Sequence, residues 1–258
     1  MTTQAALDAP ADLPLRRLGP VRAPDGEADQ AVLVCFPYAG AGATAFASWQ
    51  RRVPDWLALY GYVAPGREDR SARPPLDSVQ ALADDILPAL LALPGRICLL
   101  GHSFGAHLAY ELAYRMTRRG RAVDRLVVLA APVPRPEPGP ALGDPEIEEL
   151  WRRLGGDPAR LRRQDFRDRV FPALRADLAA GAAYHLPASR PPLAIGVTAL
   201  YGLGDPEVTG AAVRAWQAVS SSPIEVAAIP GGHYFPQTEP EATLNAVLRA
   251  LGSRHLEK

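Results

Sequence analysis

One serine, one aspartate and one histidine in this chain stand at places where three separate loops could assemble an acyl-transfer site. Ser103 lies in Gly101-His102-Ser103-Phe104-Gly105, after the apolar run "ICLL" and before a helical pattern. A serine hydroxyl is a weak nucleophile at its free pKa and needs a base. A sharp strand-to-helix corner lifts that hydroxyl to the sheet edge, and the helix N-terminus turns its amides toward negative charge that develops on attack. Glycines on both sides of the corner remove side chains that would collide with the adjoining strand and helix.

The chain has five histidines that could act as base. His102 and His107 flank the corner, with side chains fixed by the turn and the helix. His185 adjoins a proline-rich stretch, and His255 lies in the carboxyl-terminal tail. His233 follows a strand in "AAIPGGHYF" and precedes the last helix, where a strand-end loop gathers functional groups. Asp205 occupies the equivalent place in "ALYGLGDPEV" and is the candidate to orient the base. Its alternative role is to cap the following helix, which Glu207 is expected to start. The order Ser103, Asp205, His233 is that of α/β-hydrolases. Acyl transfer also requires donors for an oxyanion. The backbone N–H of Phe104 is one candidate, and the loop "CFPYAGAGA" offers Ala39, chosen over Tyr38, as the second. The alternative for that loop is a plain glycine-rich turn. It lacks the G-x-G-x-x-G and G-K-[ST] patterns of nucleotide sites.

The elements that must carry these residues alternate. Strands are expected at "AVLVCF", "WLALYGYVAPG", "RICLLG", "DRLVVLAAP", "IGVTALYG" and "IEVAAI", with a short edge strand in "LPLRRL". Helical character follows in "GATAFASWQRRV". A helix over 77–93 has Asp77 as N-cap and Leu82, Ile86, Leu90 and Leu93 on one face, and a helix after Ser103 ends near Gly120. Further helices are expected over 207–219 and 239–251. Strand–helix alternation predicts an α/β fold with a mostly parallel sheet covered on both faces. The alternation breaks at the proline-rich 132–140. Ile147, Leu150, Trp151 and Leu154 then mark one amphipathic helix. Phe166, Val170, Leu174 and Leu178 mark another that Pro172 disturbs. The chain therefore divides into a first core part (1–134), a helical insertion (135–190) and a second core part (191–258). Residues 1–12 read as a loose tail.

At 258 residues with 48% hydrophobic side chains, the chain suits one large α/β domain. Twenty-eight basic residues balance 28 acidic ones, so bulk charge gives no hold on nucleic acid or an anionic membrane. "MTTQAALDAP" is no secretory signal, and no apolar run reaches the roughly 18 residues of a membrane span. Cys35 and Cys98 lie in strand-like runs and read as buried thiols, consistent with a cytoplasmic protein. Arginines 115, 118, 119 and 121 read either as a solvated helix end favoured by the dipole or as an attraction for an acidic partner.

"CFPYAGAGATAFASW", "APGREDR", "GHSFGAHLAYELA", "GLGDPEV" and "GGHYF" resemble, in order and over nearly the whole chain, the type II thioesterases of polyketide and nonribosomal peptide pathways. The resemblance implies an α/β-hydrolase fold and no cofactor or metal. It also implies hydrolysis of aberrant or stalled acyl groups from the phosphopantetheine arm of an acyl or peptidyl carrier protein. It makes 143–185 a lid and supports Ala39 as second donor. Two departures stand out: Phe104 where the family has methionine, and Gly40-Ala41 where it has a glycine pair. Arg67 matches a family motif, with no role beyond fixing a loop. A chain-releasing cyclase or acyltransferase, a general carboxylesterase and an inactive binding module are the alternatives. A monomer is expected.

Overall fold

The computed structural model describes residues 13–19, 31–134 and 143–252. The tail over 1–12, most of the proline-rich linker and His255 lie outside the described residues. Period-two alternation builds the centre. In β2 (Ala31–Phe36) every residue is buried, with Val32, Val34 and Phe36 on one face and Ala31, Leu33 and Cys35 on the other. β4 (Arg96–His102) repeats this, with Ile97 and Leu99 facing one core and Cys98 and Leu100 the other. Such runs require cover on both faces.

With β1 (Leu15–Arg17), β3 (Leu57–Tyr62), β5 (Arg125–Leu129), β6 (Gly196–Gly202) and β7 (Glu225–Ile229), the strands form one seven-stranded sheet of order β1-β3-β2-β4-β5-β6-β7. All neighbours are parallel except the β1 edge strand. From β2 the chain steps to β3 on one side and later to β4 on the other. The crevice between the β2 and β4 exits is therefore a topological switch point, where open α/β sheets bind ligands.

The helix α1 (Val79–Ala92) is capped by Ser78, whose side chain accepts from the Ala81 amide, and not by Asp77. Serine in extended backbone one residue later places its oxygen over the first free amides. Leu82, Ile86 and Leu90 are buried as expected. The helix α2 (Phe104–Arg118) ends before Gly120, which takes φ +74°.

The insertion contains α3 (Asp144–Arg153), a short α4 (Pro158–Leu161) with no clear signal in the sequence, and α5 (Gln164–Ala183). Pro172 does not interrupt α5. Buried Phe171, Ala173, Leu174 and Ala180 hold both sides of it, and their burial offsets the lost hydrogen bond. Beyond α5, Tyr184 donates to Glu111 of α2 at 2.7 Å, which anchors this end of the insertion.

The expected 207–219 helix is shorter. It is α6 (Gly210–Arg214), capped by Thr209 and followed by a 3-10 turn over Ala215–Val219. The Asp205 side chain takes the amides of Glu207 and Val208, so the chain turns there instead of starting a helix. The helices α7 (Phe235–Thr238) and α8 (Pro240–Gly252) close the fold. No helix among the described residues is long and apolar enough to cross a membrane. Cys35 and Cys98 are free and buried, and burial pushes the Cys98 thiol up to about 12.

Candidate active site

The corner between β4 and α2 is strained. Ser103 has φ 54° and ψ −121°, a left-handed backbone for a residue with a Cβ. Its amide donates to Leu129 of the neighbouring strand at 2.8 Å. A Cβ on Gly101 would collide with Ala106 backbone, and one on Gly105 with the carbonyls of Phe36 and Pro37. Glycine at both places lets the elbow close against β2.

Two further loops reach the same edge. After β6, Gly202 lies against the Gly232 carbonyl, and the Gly204 amide donates to Gly231 at 2.8 Å. This backbone-to-backbone approach leaves no room for side chains, and Gly231 takes φ +97° to permit it. The contact brings Asp205 to His233. His233 Nδ1 lies 2.9 Å from Asp205 Oδ2, and His233 Nε2 lies 3.0 Å from Ser103 Oγ. An ionised carboxylate only accepts, so Nδ1 carries the proton and Nε2 accepts from the serine hydroxyl. Burial would raise the Asp205 pKa. The His233 hydrogen bond and charge, with the Glu207 and Val208 amides, outweigh it and hold the carboxyl below the usual range. Asp205 thus uses one oxygen for its own turn and the other for the imidazole, so the capping and orienting roles coexist.

The remaining described histidines do not reach Ser103. His102 is fully buried and donates through Nε2 to the His233 carbonyl at 2.9 Å. Burial pushes its pKa down to about 3, so the ring is neutral and braces the His233 loop. His107 donates to the Pro132 carbonyl at 3.2 Å, and exposed His185 bonds locally to Ala183.

The oxyanion candidates sit on the β2 exit and the α2 start. Phe104 is the first residue of α2, so its amide has no carbonyl partner within the helix. In the 38–41 turn, the Gly40 amide donates to Asp177 Oδ2 at 2.8 Å and the Ala41 amide to the Tyr38 carbonyl at 3.0 Å. Ala39, the candidate second donor, lies between Tyr38 and Gly40 in this turn. Ala39 and Tyr38 line a small cavity of about 40 Å³ together with Ser103, His233, Trp151 of α3 and Leu174 of α5. The Phe104 ring packs toward Gly181 of α5. Tyr38, Ala39 and Trp151 also border an open cleft of about 1080 Å³. Ser103 and His233 line the small cavity and not the larger cleft. Among the described residues, no group of three or more His, Cys, Asp or Glu could hold a metal ion.

Sequence reasoning missed Asp177. Its side chain pairs with Arg67, at 2.7 Å and 3.0 Å, where the motif arginine had no assigned partner. The signal was present: on a helix, 177 falls three residues after Leu174 and four before Gly181, which puts a carboxylate on the buried stripe. Two of the four arginines after Ser103 are spent internally. Arg115 pairs with Glu111 and Asp84, and Arg121 donates to the carbonyls of Leu93 and Gly95. Arg115 also lies in the last turn of the 15-residue helix, about 18 Å along its axis from the serine, and Arg121 lies beyond the helix.

A parallel sheet with a nucleophile elbow after one strand, and its carboxylate and imidazole after two later ones, makes this chain an α/β-hydrolase. Residues 31–253 match the thioesterase domain family, and the chain belongs to it. It is 32% identical over 242 residues to a protein named as a probable cadicidin biosynthesis thioesterase of Streptomyces griseus, over 92% of this chain. It spans only 65% of that relative's length. In structure it is similar to the type II thioesterase BorB from the borrelidin biosynthetic cluster, with TM-score 0.81 and 29% identity over 95% of this chain and all of the other. It is also similar to the thioesterase RedJ from the prodiginine pathway of Streptomyces coelicolor. There the TM-score is 0.77 and the identity 35%, over 91% of this chain and 96% of the other.

Proposed function

We propose that this thioesterase releases acyl groups from the phosphopantetheine arm of an acyl or peptidyl carrier protein in polyketide or nonribosomal peptide biosynthesis, clearing aberrant or stalled chains. The observation that carries this reading is the line Asp205–His233–Ser103, hydrogen-bonded at 2.9 Å and 3.0 Å and set at the mouth of an apolar cavity under the lid. The names of the relatives support the pathway class.

In this reading His233 Nε2 takes the Ser103 proton as Oγ attacks the thioester carbonyl. The carbonyl π pair moves to oxygen, facing the amides of Phe104 and Ala39. Asp205 holds the Nδ1–H tautomer and stabilises the imidazolium. The intermediate collapses, the C–S bond breaks, and the thiol leaves with the proton from His233. Water, deprotonated by His233, then attacks the acyl-serine, and Ser103 recovers its proton as the acid departs. No cofactor or metal enters these steps. The same reading treats 135–190 as a lid set between core parts 1–134 and 191–258. It takes the protein as a cytoplasmic monomer that meets its carrier protein transiently.

The test is a panel of acyl groups, each on carrier protein and on N-acetylcysteamine, with Ser103→Ala as control. The expected result is a free acid, formed faster from the carrier. Equal rates on both thiols would remove the carrier protein from the reading. A lactone or transferred ester would replace hydrolysis with cyclisation or acyl transfer, and high turnover of simple esters would make the protein a general esterase.

A further inference from the structure

The ion pair Arg67–Asp177 takes no part in the acyl-transfer steps, yet it touches the loop that frames them. Both side chains are buried, at 7% and 1% exposure. Arg67 follows β3, and Asp177 lies on α5 of the lid. The Arg67 guanidinium donates to both Asp177 oxygens and, through Nη1, to the Ala41 carbonyl at 3.0 Å. Asp177 Oδ2 also accepts from the Gly40 amide at 2.8 Å. One pair thus grips the amide of Gly40 and the carbonyl of Ala41, on either side of the 40–41 peptide. Gly40 takes φ +77°, and a Cβ there would press on Leu174, one turn of α5 earlier. Next along the chain, Glu68 accepts from the Thr44 amide at 3.0 Å, which fixes the downstream end of the same loop.

Stability alone does not account for this arrangement. Replacing a buried ion pair by apolar side chains of similar volume is often neutral or stabilising. Here Arg67 Nε is also left buried without a partner. What the charged pair supplies, and an apolar pair would not, is directional bonding to Gly40 and Ala41. It occupies the amide that follows Ala39, that of Gly40, and fixes the carbonyl two residues after Ala39, that of Ala41.

We propose that Arg67 and Asp177 are positioning residues that couple the lid to the oxyanion site, so that the Ala39 amide is correctly aimed only while α5 is seated on the 38–41 turn. The triad is complete on the sheet edge without the lid, whereas the oxyanion loop takes one of its hydrogen-bond acceptors from α5. The lid therefore does more than cover the acyl chamber, since its seating switches one donor into place. The proposal rests on the reading of Ala39 as the second donor.

The test uses the full chain with two probes, an acyl N-acetylcysteamine thioester and an alkyl boronic acid that adds to Ser103 and places an oxygen on the donors. The main variant is Arg67→Met/Asp177→Leu, which keeps the volume and loses the clamp. Its expected kcat is lower by about 10- to 100-fold, with KM changed by less than about threefold. Boronate affinity is expected to weaken by a similar factor to kcat. Arg67→Lys is the second variant, for the case in which the first does not fold. It keeps a positive charge beside Asp177, but one ammonium cannot reproduce the fork to Asp177 together with the bond to Ala41. The expected kcat loss is then about tenfold, with a native circular dichroism spectrum. A folded variant with kcat within about twofold of native would overturn the proposal, as would a kcat loss with native boronate affinity. Failure of the functional reading looks different, because Ser103→Ala would then hydrolyse the thioester as fast as the native protein.

Discussion

The two halves of the site are built from different material. The triad half comes wholly from the sheet: Ser103 after β4, Asp205 after β6 and His233 after β7, pinned by glycine contacts between their own backbones. The proposed oxyanion half is a composite. Phe104 belongs to the elbow, but the 38–41 turn is held from outside by Arg67 and by Asp177 of α5. The first half is fixed once the sheet has folded. The second depends on where the insertion sits. On the proposed roles, attack and charge stabilisation have separate structural supports, so they can be damaged separately.

The sharpest break of that comparison comes on the triad side. His233→Ala is expected to lower kcat by about 10⁴- to 10⁶-fold while His185→Ala leaves it unchanged, as measured by thiol release from an acyl thioester. Asp205→Asn should cost about 10³- to 10⁴-fold, because the amide favours the wrong imidazole tautomer. Its loss of activity should come without a large change in KM. The clamp variants described above form the next tier, about 10- to 100-fold, and their smaller effect is what separates the two halves.

Stability measurements sharpen the same contrast. Gly105→Ala is expected to destabilise the protein by more than about 3 kcal/mol, since the Cβ meets main-chain carbonyls that cannot move without opening β2 from the elbow. Urea denaturation measures this loss, and a near-native midpoint would show that the elbow is looser than drawn. His102 gives the pH dependence. It is fully buried with its pKa pushed down to about 3. The unfolded state, with an ordinary histidine pKa near 6.5, takes up the proton first as pH falls. Stability carried by neutral His102 is therefore present above about pH 6.5 and lost as pH drops toward 3. The slope is about 1.4 kcal/mol per pH unit between pH 5.5 and 4.5. His102→Gln should flatten the stability curve there by that amount. The smallest effect belongs to the exposed lid pair Arg163–Asp165, whose removal should not shift the melting temperature measurably.

The triad was legible in the sequence because each member sits in a turn whose chemistry is local. Gly101 and Gly105 bracket Ser103, Gly204 precedes Asp205, and Gly231-Gly232 precede His233. The parallel sheet was legible for a similar reason, since β2 and β4 are apolar on both faces. Asp177 was harder to place, because its meaning depends on Arg67, 110 positions earlier in the chain. The sequence pattern of α5 advertised an amphipathic helix but not which acceptor it carried to the loop. Pro172 and Glu207 misled in opposite ways. Tertiary burial overrode a helix breaker at the first, and a side chain–backbone turn replaced a helix start at the second. The Phe104 substitution was visible as a departure, but its contact with Gly181 needed the lid in place.

The most direct measurement of the central claim is the location of the acyl group during turnover. The protein is mixed with an acyl thioester, quenched with acid within the first turnovers, digested and mapped by mass. The account predicts an added acyl mass on the peptide containing Ser103, absent from Ser103→Ala, together with loss of thiol release in that variant. Thiol release by Ser103→Ala at the native rate would contradict it.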